Sequence, residues 1–210
     1  VLTFHTNKVL SFSLLVLILT VFFAVSVAAA TPAAPISWYI DGNLASAPPS
    51  GAWTDVKKVE VCSDLPGYQR FTDYPHGYSV CIPVGLQPDF SLSAIRSSFT
   101  SPTTQIEIYY DNFSHYTPNA WDRMIDATKS LVSSPRHNVA AQKTFPWNGL
   151  TVNRIKWSRT PLTAVPGDRN YYVRLELKLF ADEYYTIFIK SSQPIDNDLE
   201  ILHSFRWDAK

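Results

Sequence analysis

The chain has 210 residues, of which 46% are hydrophobic and 17% are charged, and this composition excludes a polypeptide that is disordered throughout. Eighteen basic residues balance 18 acidic ones, so no basic face is expected and a nucleic-acid-binding protein is disfavoured. The length suits one domain preceded by a leader.

The N-terminal 30 residues have the pattern of an export signal. Lys8 precedes an uncharged apolar run from Val9 to Val27, and Ala28 to Ala30 supply small residues for cleavage. This order is typical of a secretory signal peptide. The apolar run is also long enough to cross a bilayer as an uncleaved N-terminal anchor. Under either interpretation, residues 1–30 lie outside the fold and the rest of the chain is predicted to be extracellular or at the cell surface.

Residues 31–54 are rich in Pro, Ala and Ser, which predicts a linker, and residues 55–210 are predicted to form one α+β domain. The chain has two cysteines, Cys62 and Cys81. Because an exported chain meets an oxidising environment, we expect a disulfide between them, although two free buried thiols are the alternative. Closing so short a loop would stabilise the fold by about 3 kcal/mol.

The first half of the domain is predicted to contain four strands and a helix. The predicted strands cover residues 56–62, 77–83, 93–98 (a weaker candidate) and 104–110. In the last strand apolar and polar residues alternate, as on a half-buried sheet. Thr117 is a good N-cap and Pro118 suits the first helical position, so a helix should begin there and end before Pro135.

The second half is predicted to contain two hairpins and a closing helix. The predicted strands cover residues 139–145, 150–158, 171–180 and 184–191, and the helix covers residues 196–207. Asn148-Gly149 between the first two strands is a strong hairpin signal. The predicted fold is therefore α+β, an antiparallel sheet of about six or seven strands with two helices packed on one face.

Several strings in the domain resemble a known kind of module. They are GYSVCIPVGLQPDFSLSAIRSSF, TTQIEIYYDNF, VNRIKWSRTPL, GDRNYYVRLEL and YYTIFIKSSQPI. They are similar to an N-terminal accessory module of secreted Gram-positive enzymes that carry a glycoside-hydrolase domain like family 26. The order of strands and helices also resembles the PsbP-like fold.

The resemblance implies an exported, non-catalytic binding or spacing domain of an extracellular carbohydrate-active system. Its implied partners are a polysaccharide or cell-wall glycan and a glycoside-hydrolase domain, with membrane contact only through an uncleaved leader. Two alternatives stay open. One is the front fragment of a secreted glycoside hydrolase, whose barrel of about 250 residues would follow. The other is a structural protein that contacts the cell wall or a partner protein.

Catalytic and cofactor motifs are not found in the sequence. The histidines lack the spacing of metal ligands, and neither a GxSxG motif nor a glycine-rich phosphate loop occurs. Glycoside hydrolysis needs two carboxylates at a fixed separation across a cleft, and Glu107 and Glu176 are candidate neighbours because both lie on outward strand faces. Pairing with Arg174 and Lys178 on a solvated face is the simpler explanation. We therefore predict no catalytic residue, no metal site and no cofactor.

Three tyrosine pairs on strands give the most specific hypothesis about a site. Adjacent strand residues face opposite sides, so one member of each pair should join the core. The core members are predicted to be Tyr110, Tyr171 and Tyr185, and the outward members Tyr109, Tyr172 and Tyr184, beside Phe188. With Trp147 at a hairpin tip, the outward rings would form an aromatic platform on which sugars stack. Cross-strand aromatic pairing that only stabilises the sheet is the alternative.

Overall fold

Two antiparallel sheets and two helices make up the part of the chain that the computed structural model describes. The described residues are 36–51, 55–93, 95–112, 120–161, 165–179 and 183–207. The predicted leader, residues 1–30, lies outside them, as does the predicted start of the first helix. Within these ranges, the structure has no helix that is both long and apolar enough to cross a bilayer.

The elements follow one another along the chain with strands dominating. In order they are β1 (Ser37–Ile40), β2 (Asn43–Ala45), β3 (Val56–Val61), β4 (Tyr68–Asp73), β5 (Tyr78–Pro83), β6 (Gln87–Ser93), β7 (Arg96–Thr100), β8 (Thr104–Asn112), α1 (Ala120–Val132), β9 (His137–Trp147), β10 (Leu150–Arg159), β11 (Tyr171–Lys178), β12 (Glu183–Ser191), α2 (Asp198–Ser204) and β13 (Arg206–Trp207). One sheet has the order β13-β5-β4-β3-β1-β2, and the other has the order β6-β7-β8-β12-β11-β10-β9.

The predicted antiparallel α+β class with two helices is confirmed, but one predicted sheet becomes two. The missed strands β4 and β6 have polar sequences, YQRFTD and QPDFSLS, with few apolar residues to mark them. In β4, Phe71 supplies the buried apolar side chain, and the other buried residue, Asp73, is charged. Pairing with β3 and β5 on either side makes this segment a strand, and no local pattern predicts that pairing.

Part of the segment predicted as a linker is a hairpin. Strand β1 pairs with β2 and with β3, and Tyr39 packs edge-on against Phe90 with ring centroids 4.8 Å apart. Asp41 and Gly42 form the turn with positive φ angles of 48° and 75°, a conformation that glycine adopts without strain. The linker interpretation therefore does not hold for residues 37–45. The run SWYI is too short to stand out among the Ala, Pro and Ser residues around it.

The predicted disulfide joins Cys62, just after β3, to Cys81 in β5, with the two Cα atoms 5.9 Å apart. Strand β4 lies between these two strands. The bridge therefore links the β3 and β5 segments across β4. It closes a loop with a sequence separation of 19, as the short spacing of the two cysteines predicted.

The main core lies between the sheets. The seven-stranded sheet contributes buried aliphatic residues such as Ile108, Leu175 and Ile187, and the other sheet contributes Phe71 and Val80. The three tyrosines predicted to face inward, Tyr110, Tyr171 and Tyr185, all pack with this cluster. The alternation of the strands therefore predicted the core side of the sheet correctly.

The two helices lie on opposite faces of the seven-stranded sheet, not together on one face. Thr128 of α1 donates a 2.7 Å hydrogen bond to Glu176, whereas Asp198 of α2 accepts one from Arg154 at 3.1 Å. Arg154 is the register partner of Leu175, so both lie on the core face of the sheet. Glu176 is the next residue after Leu175 and therefore lies on the opposite, outer face. Helix α2 also ends earlier than predicted, because residues 206–207 pair with β5 as β13.

Candidate binding cleft

The outer face of the seven-stranded sheet carries four of the five aromatic residues predicted to bind a ligand. Tyr109, Tyr172, Tyr184 and Phe188 come from β8, β11 and β12, and all four alternate with residues of the main core. Their side was correctly predicted, since each strand keeps its alternation without a bulge at these positions.

A cleft of about 350 Å³ lies between this face and α1. Its lining residues are Tyr109, Asp111, Met124, Arg174, Tyr184, Thr186 and Phe188. Three of these were predicted as binding residues. Arg174 and Thr186 were not, although they occupy the same alternating face and could have been found by extending that pattern. Met124 could not have been found from the sequence, because its place in the cleft depends on where α1 crosses the sheet.

An open platform of tyrosine rings is not what the structure contains. Tyr184 is only 3% exposed, because the ring of Trp121 stacks on it with centroids 5.4 Å apart and an interplanar angle of 11°. Ile125 packs in the same cluster. An amphipathic helix must bury its apolar side, and these outward rings provide the surface for α1. Tyr184 is therefore a wall of the cleft, and its ring face is occupied.

Tyr172 lies in a row of stacked rings that extends from the cleft. Its centroid is 5.2 Å from that of Trp157 and 6.2 Å from that of Phe188, at interplanar angles of 16° and 30°. Val132 at the end of α1 packs in the same cluster as Trp157. Because Tyr172 pairs with these neighbours, the predicted cross-strand aromatic contacts exist, and Phe188 belongs both to the row and to the cleft.

Trp147 was predicted to extend the aromatic surface and lies elsewhere. It is the cross-strand partner of Leu150, a residue of the main core, and it packs near Trp207 with ring centroids 6.4 Å apart. Cross-strand partners share a face, so the hairpin places Trp147 on the core side. Position at a hairpin tip did not determine the face of the sheet.

Two buried carboxylates form ion pairs with cationic side chains on the outer face. Glu107, 2% exposed, forms ion pairs of 2.6 Å with both Arg96 and Lys190. Glu176 is fully buried, and its Oε1 lies 2.8 Å from the Nε of Arg174.

These carboxylates are therefore structural acceptors already engaged by neighbours. The predicted pairing of Glu176 with Arg174 is confirmed, but the predicted solvated face is wrong, because Glu107 and Glu176 are at most 2% exposed. Lys178 was the other expected partner, and its Nζ instead lies 5.9 Å from the centroid of the Trp121 ring.

The cleft combines apolar rings with fixed polar groups. The Nζ of Lys190 lies 4.8 Å from the ring centroid of Phe188, and the guanidinium carbon of Arg96 lies 5.7 Å from that of Tyr109. Burial, together with the negative charge of Glu107, raises the pKa of the Tyr109 hydroxyl. Because Glu107 also accepts a hydrogen bond from it, that hydroxyl keeps its proton at ordinary pH. Across the described ranges, no cluster of His, Cys, Asp and Glu has the arrangement of a metal site.

No known family profile matches this sequence, and no curated protein sequence matches it. Among solved structures, the chain is similar to cyanobacterial PsbP (CyanoP) from Synechocystis sp. PCC 6803, with a TM-score of 0.48 and 11% identity, over 70% of this chain and 96% of that one. It is also similar to the Ran-binding protein Mog1p of Saccharomyces cerevisiae, with a TM-score of 0.44 and 9% identity, over 67% and 95% of the two chains. The first of these two structures is a PsbP protein, and the comparisons with family profiles and curated sequences give no support to the glycoside-hydrolase part of the resemblance.

Proposed function

We propose that this protein is an exported, non-catalytic binding module of an extracellular carbohydrate-active system and that the cleft beside α1 binds a glycan. The observation that supports this most directly is the placement of Tyr109 and Phe188 around Arg174 in a cleft of about 350 Å³. Two aromatic rings and a guanidinium in one cleft offer stacking surface and hydrogen-bond donors together.

The chemistry of this lining suits a sugar ring. Sugars present C–H faces that pack on aromatic rings, while their hydroxyls pair with nearby polar groups. The Thr186 hydroxyl and Arg174 line the same cleft as the rings. The volume is near the lower end of the range for ligand pockets, roughly 300–1,000 Å³, so the cleft would hold a short stretch of a polysaccharide.

Export is part of the proposal and rests on the leader together with the disulfide. Disulfides persist in oxidising compartments and are rare in the cytosol. The pair Cys62–Cys81 is formed in the structure. This supports a place outside the cytoplasm, and an uncleaved leader would keep the domain at the cell surface.

Binding can be tested with the chain expressed from a secreting host with its own leader. The purified protein is incubated with insoluble polysaccharides of several kinds, and soluble oligosaccharides of any retained glycan are titrated by calorimetry. We expect retention on at least one glycan and at least ten-fold weaker binding by the Phe188→Ala variant. The Val139→Ala variant, which changes a 45% exposed residue of β9 away from the cleft, is the matched control and should bind normally.

Failure to bind any of the glycans would overturn the proposal, as would equal binding by Phe188→Ala and Val139→Ala. The same samples are assayed for release of reducing sugars. Turnover of any polysaccharide by the purified chain would show that the module is an enzyme and not only a binding domain.

A further inference from the structure

The guanidinium group of Arg174 stands in the cleft beside α1 with most of its hydrogen-bonding capacity unused. The Arg174 side chain is 25% exposed, and its Nε lies 2.8 Å from Oε1 of Glu176. Across the described ranges, neither Nη atom of Arg174 donates a hydrogen bond, and neither is among the buried unpaired atoms. The other N–H donors of a guanidinium are on these Nη atoms, so they are available to a ligand.

A buried network holds this guanidinium in place. Glu176, its ion-pair partner, is fully buried and accepts hydrogen bonds from the Thr128 hydroxyl at 2.7 Å and from the Asn153 side-chain amide at 2.6 Å. Thr128 belongs to α1 and Asn153 to β10, so the carboxylate is anchored both to the helix and to the neighbouring strand. A cation beside so fixed a carboxylate loses little conformational freedom when it binds a ligand, and this favours binding.

The cations of the outer face gather at the Phe188 end of the cleft. Arg174 is the cross-strand partner of Phe188, and the Nζ of Lys190 lies 4.8 Å from the centroid of the Phe188 ring. Glu107, the partner of Phe188 on β8, forms ion pairs with both Arg96 and Lys190. Because one carboxylate serves two cations here and Arg174 has a carboxylate of its own, this end of the cleft has a surplus of positive charge.

The acidic residue of the cleft lining lies towards the other end. Asp111 is the cross-strand partner of Tyr184, which α1 covers, and Phe188 is four residues farther along β12. At about 3.3 Å per residue, that separation is about 13 Å along the strand. A negatively charged ligand group beside Arg174 and Phe188 would therefore be well separated from the Asp111 carboxylate.

A guanidinium with free N–H donors matches a carboxylate better than it matches a hydroxyl group. Parallel N–H···O bonds can form to both carboxylate oxygens, and such charge-assisted hydrogen bonds are about twice as strong as neutral ones. The rings of Tyr109 and Phe188 are only half-buried, so a sugar can pack on their exposed parts. A sugar that also carries a carboxyl group at its edge, a uronic acid, uses both features of this end of the cleft.

We propose that the glycan bound in this cleft is acidic and that Arg174 selects it by binding the carboxylate of a uronic acid residue. The proposal rests on the glycan-binding function proposed above and specifies the class of polysaccharide. The sugar face packs against Tyr109 and Phe188 while the carboxylate meets the Nη atoms of Arg174. Because the chain has a formal net charge of zero, a preference for acidic glycans would not come from a general attraction to polyanions.

The test compares acidic oligosaccharides with their own carboxyl-reduced forms, in which each carboxylate has become a primary alcohol on the same sugar. Oligosaccharides of polygalacturonate, glucuronoxylan and alginate are titrated into the full chain by calorimetry. At least one of them should bind about ten-fold or more tightly than its reduced form, since only the acidic form gains charge-assisted hydrogen bonds. Acetate at the same concentration should not compete, because it has no sugar face for Tyr109 and Phe188.

Substitutions at Arg174 test whether this residue is the source of the preference. Arg174→Gln should abolish the difference between the acidic and reduced forms. Lys178→Gln removes the same charge from the same strand outside the cleft lining, so it is the matched control and should keep the difference. Arg174→Lys keeps a cation beside the buried Glu176, so it keeps the proposal testable if Arg174→Gln does not fold. Its point charge lacks the fork geometry and should lower the preference by about three-fold or more.

The outcomes separate this proposal from the proposed function. Equal affinity for the acidic and reduced forms of a bound glycan overturns the acidic specificity and leaves glycan binding intact. A preference retained in folded Arg174→Gln, or undiminished in Arg174→Lys, also overturns it. Competition by acetate at equal concentration would show that a carboxylate alone suffices, and it contradicts the proposal as well. Binding of no oligosaccharide or polysaccharide at all overturns both.

Discussion

The two faces of the seven-stranded sheet are built from alternate residues of the same strands and differ in what stabilises them. The inner face presents aliphatic residues that are at most 2% exposed, such as Ile108, Leu175 and Ile187. The outer face presents aromatic and charged residues, and its two carboxylates, Glu107 and Glu176, are just as buried. Burial on the inner face gains free energy by transfer from water, whereas on the outer face it is tolerated because each carboxylate has several partners.

The difference also assigns the faces different roles. The inner face is filled by the second sheet and α2, so it has little to offer a ligand. The outer face is only partly covered by α1, and the cleft lined by Tyr109 and Phe188 lies in the uncovered part. A polar face can leave a gap beside its helix at a lower free-energy cost than an aliphatic face can, since the gap exposes groups that water solvates.

The largest expected effect comes from a cavity on the inner face. Leu175→Ala removes a fully buried side chain and should lower the free energy of unfolding by about 2–5 kcal/mol, measured by urea denaturation. Lys178→Ala, at a partly buried outer-face position of the same strand, is the control and should cost clearly less. A loss no larger than that of the control would mean that the inner face is not the main source of stability.

Removing the disulfide tests whether the stability of the protein can change without an effect on either face of the seven-stranded sheet. It belongs to the other sheet, so a Cys62→Ser, Cys81→Ser double variant should lower the free energy of unfolding by about 3 kcal/mol through the unfolded state. Glycan affinity of the folded protein should be unchanged. A loss of affinity in protein that circular dichroism shows to be folded would contradict the separation of bridge and cleft.

Thr128→Val probes the polar contacts that hold α1 on the outer face. The substitution keeps the shape of the side chain and removes the hydroxyl that donates to Glu176 at 2.7 Å. Hydrogen bonds to charged groups contribute about 1.5–3 kcal/mol, and urea denaturation should show a loss in that range. Ser130→Ala, at an exposed position of the same helix, should change stability by less than about 0.5 kcal/mol. Equal values for the two variants would show that Glu176 does not anchor the helix.

The smallest effect on stability is expected in β6, the edge strand of the seven-stranded sheet. The Ser91 hydroxyl and backbone N–H donate to Asp89 at 2.7 and 3.0 Å and lower the pKa of that carboxyl below its usual value of 3.8. A lowered pKa stabilises the fold above pH 3.8, and this contribution is lost as the pH falls through the folded-state pKa. Ser91→Ala should therefore flatten the acid limb of the stability–pH curve, followed by thermal melts. An unchanged acid limb would exclude this contribution.

The local pattern determined which side of each strand faces the core. Leu175 and Tyr185 were placed inside, and Tyr109, Tyr172 and Phe188 outside, because alternation with period two is a property of the strand itself. The pairing of Cys62 with Cys81 and the Asn148-Gly149 hairpin were also predicted, since each depends on a short stretch of chain and its environment.

Only the tertiary structure decided what covers those faces. The helix α1 lies over Tyr184 and leaves the cleft, α2 packs on the opposite face, and Trp147 turns towards the core. Strands β1, β4 and β6 have weak patterns of their own and form through pairing with neighbours. These features depend on which surfaces meet across the fold, and contacts between residues distant in sequence are not encoded in the periodicity of any one segment.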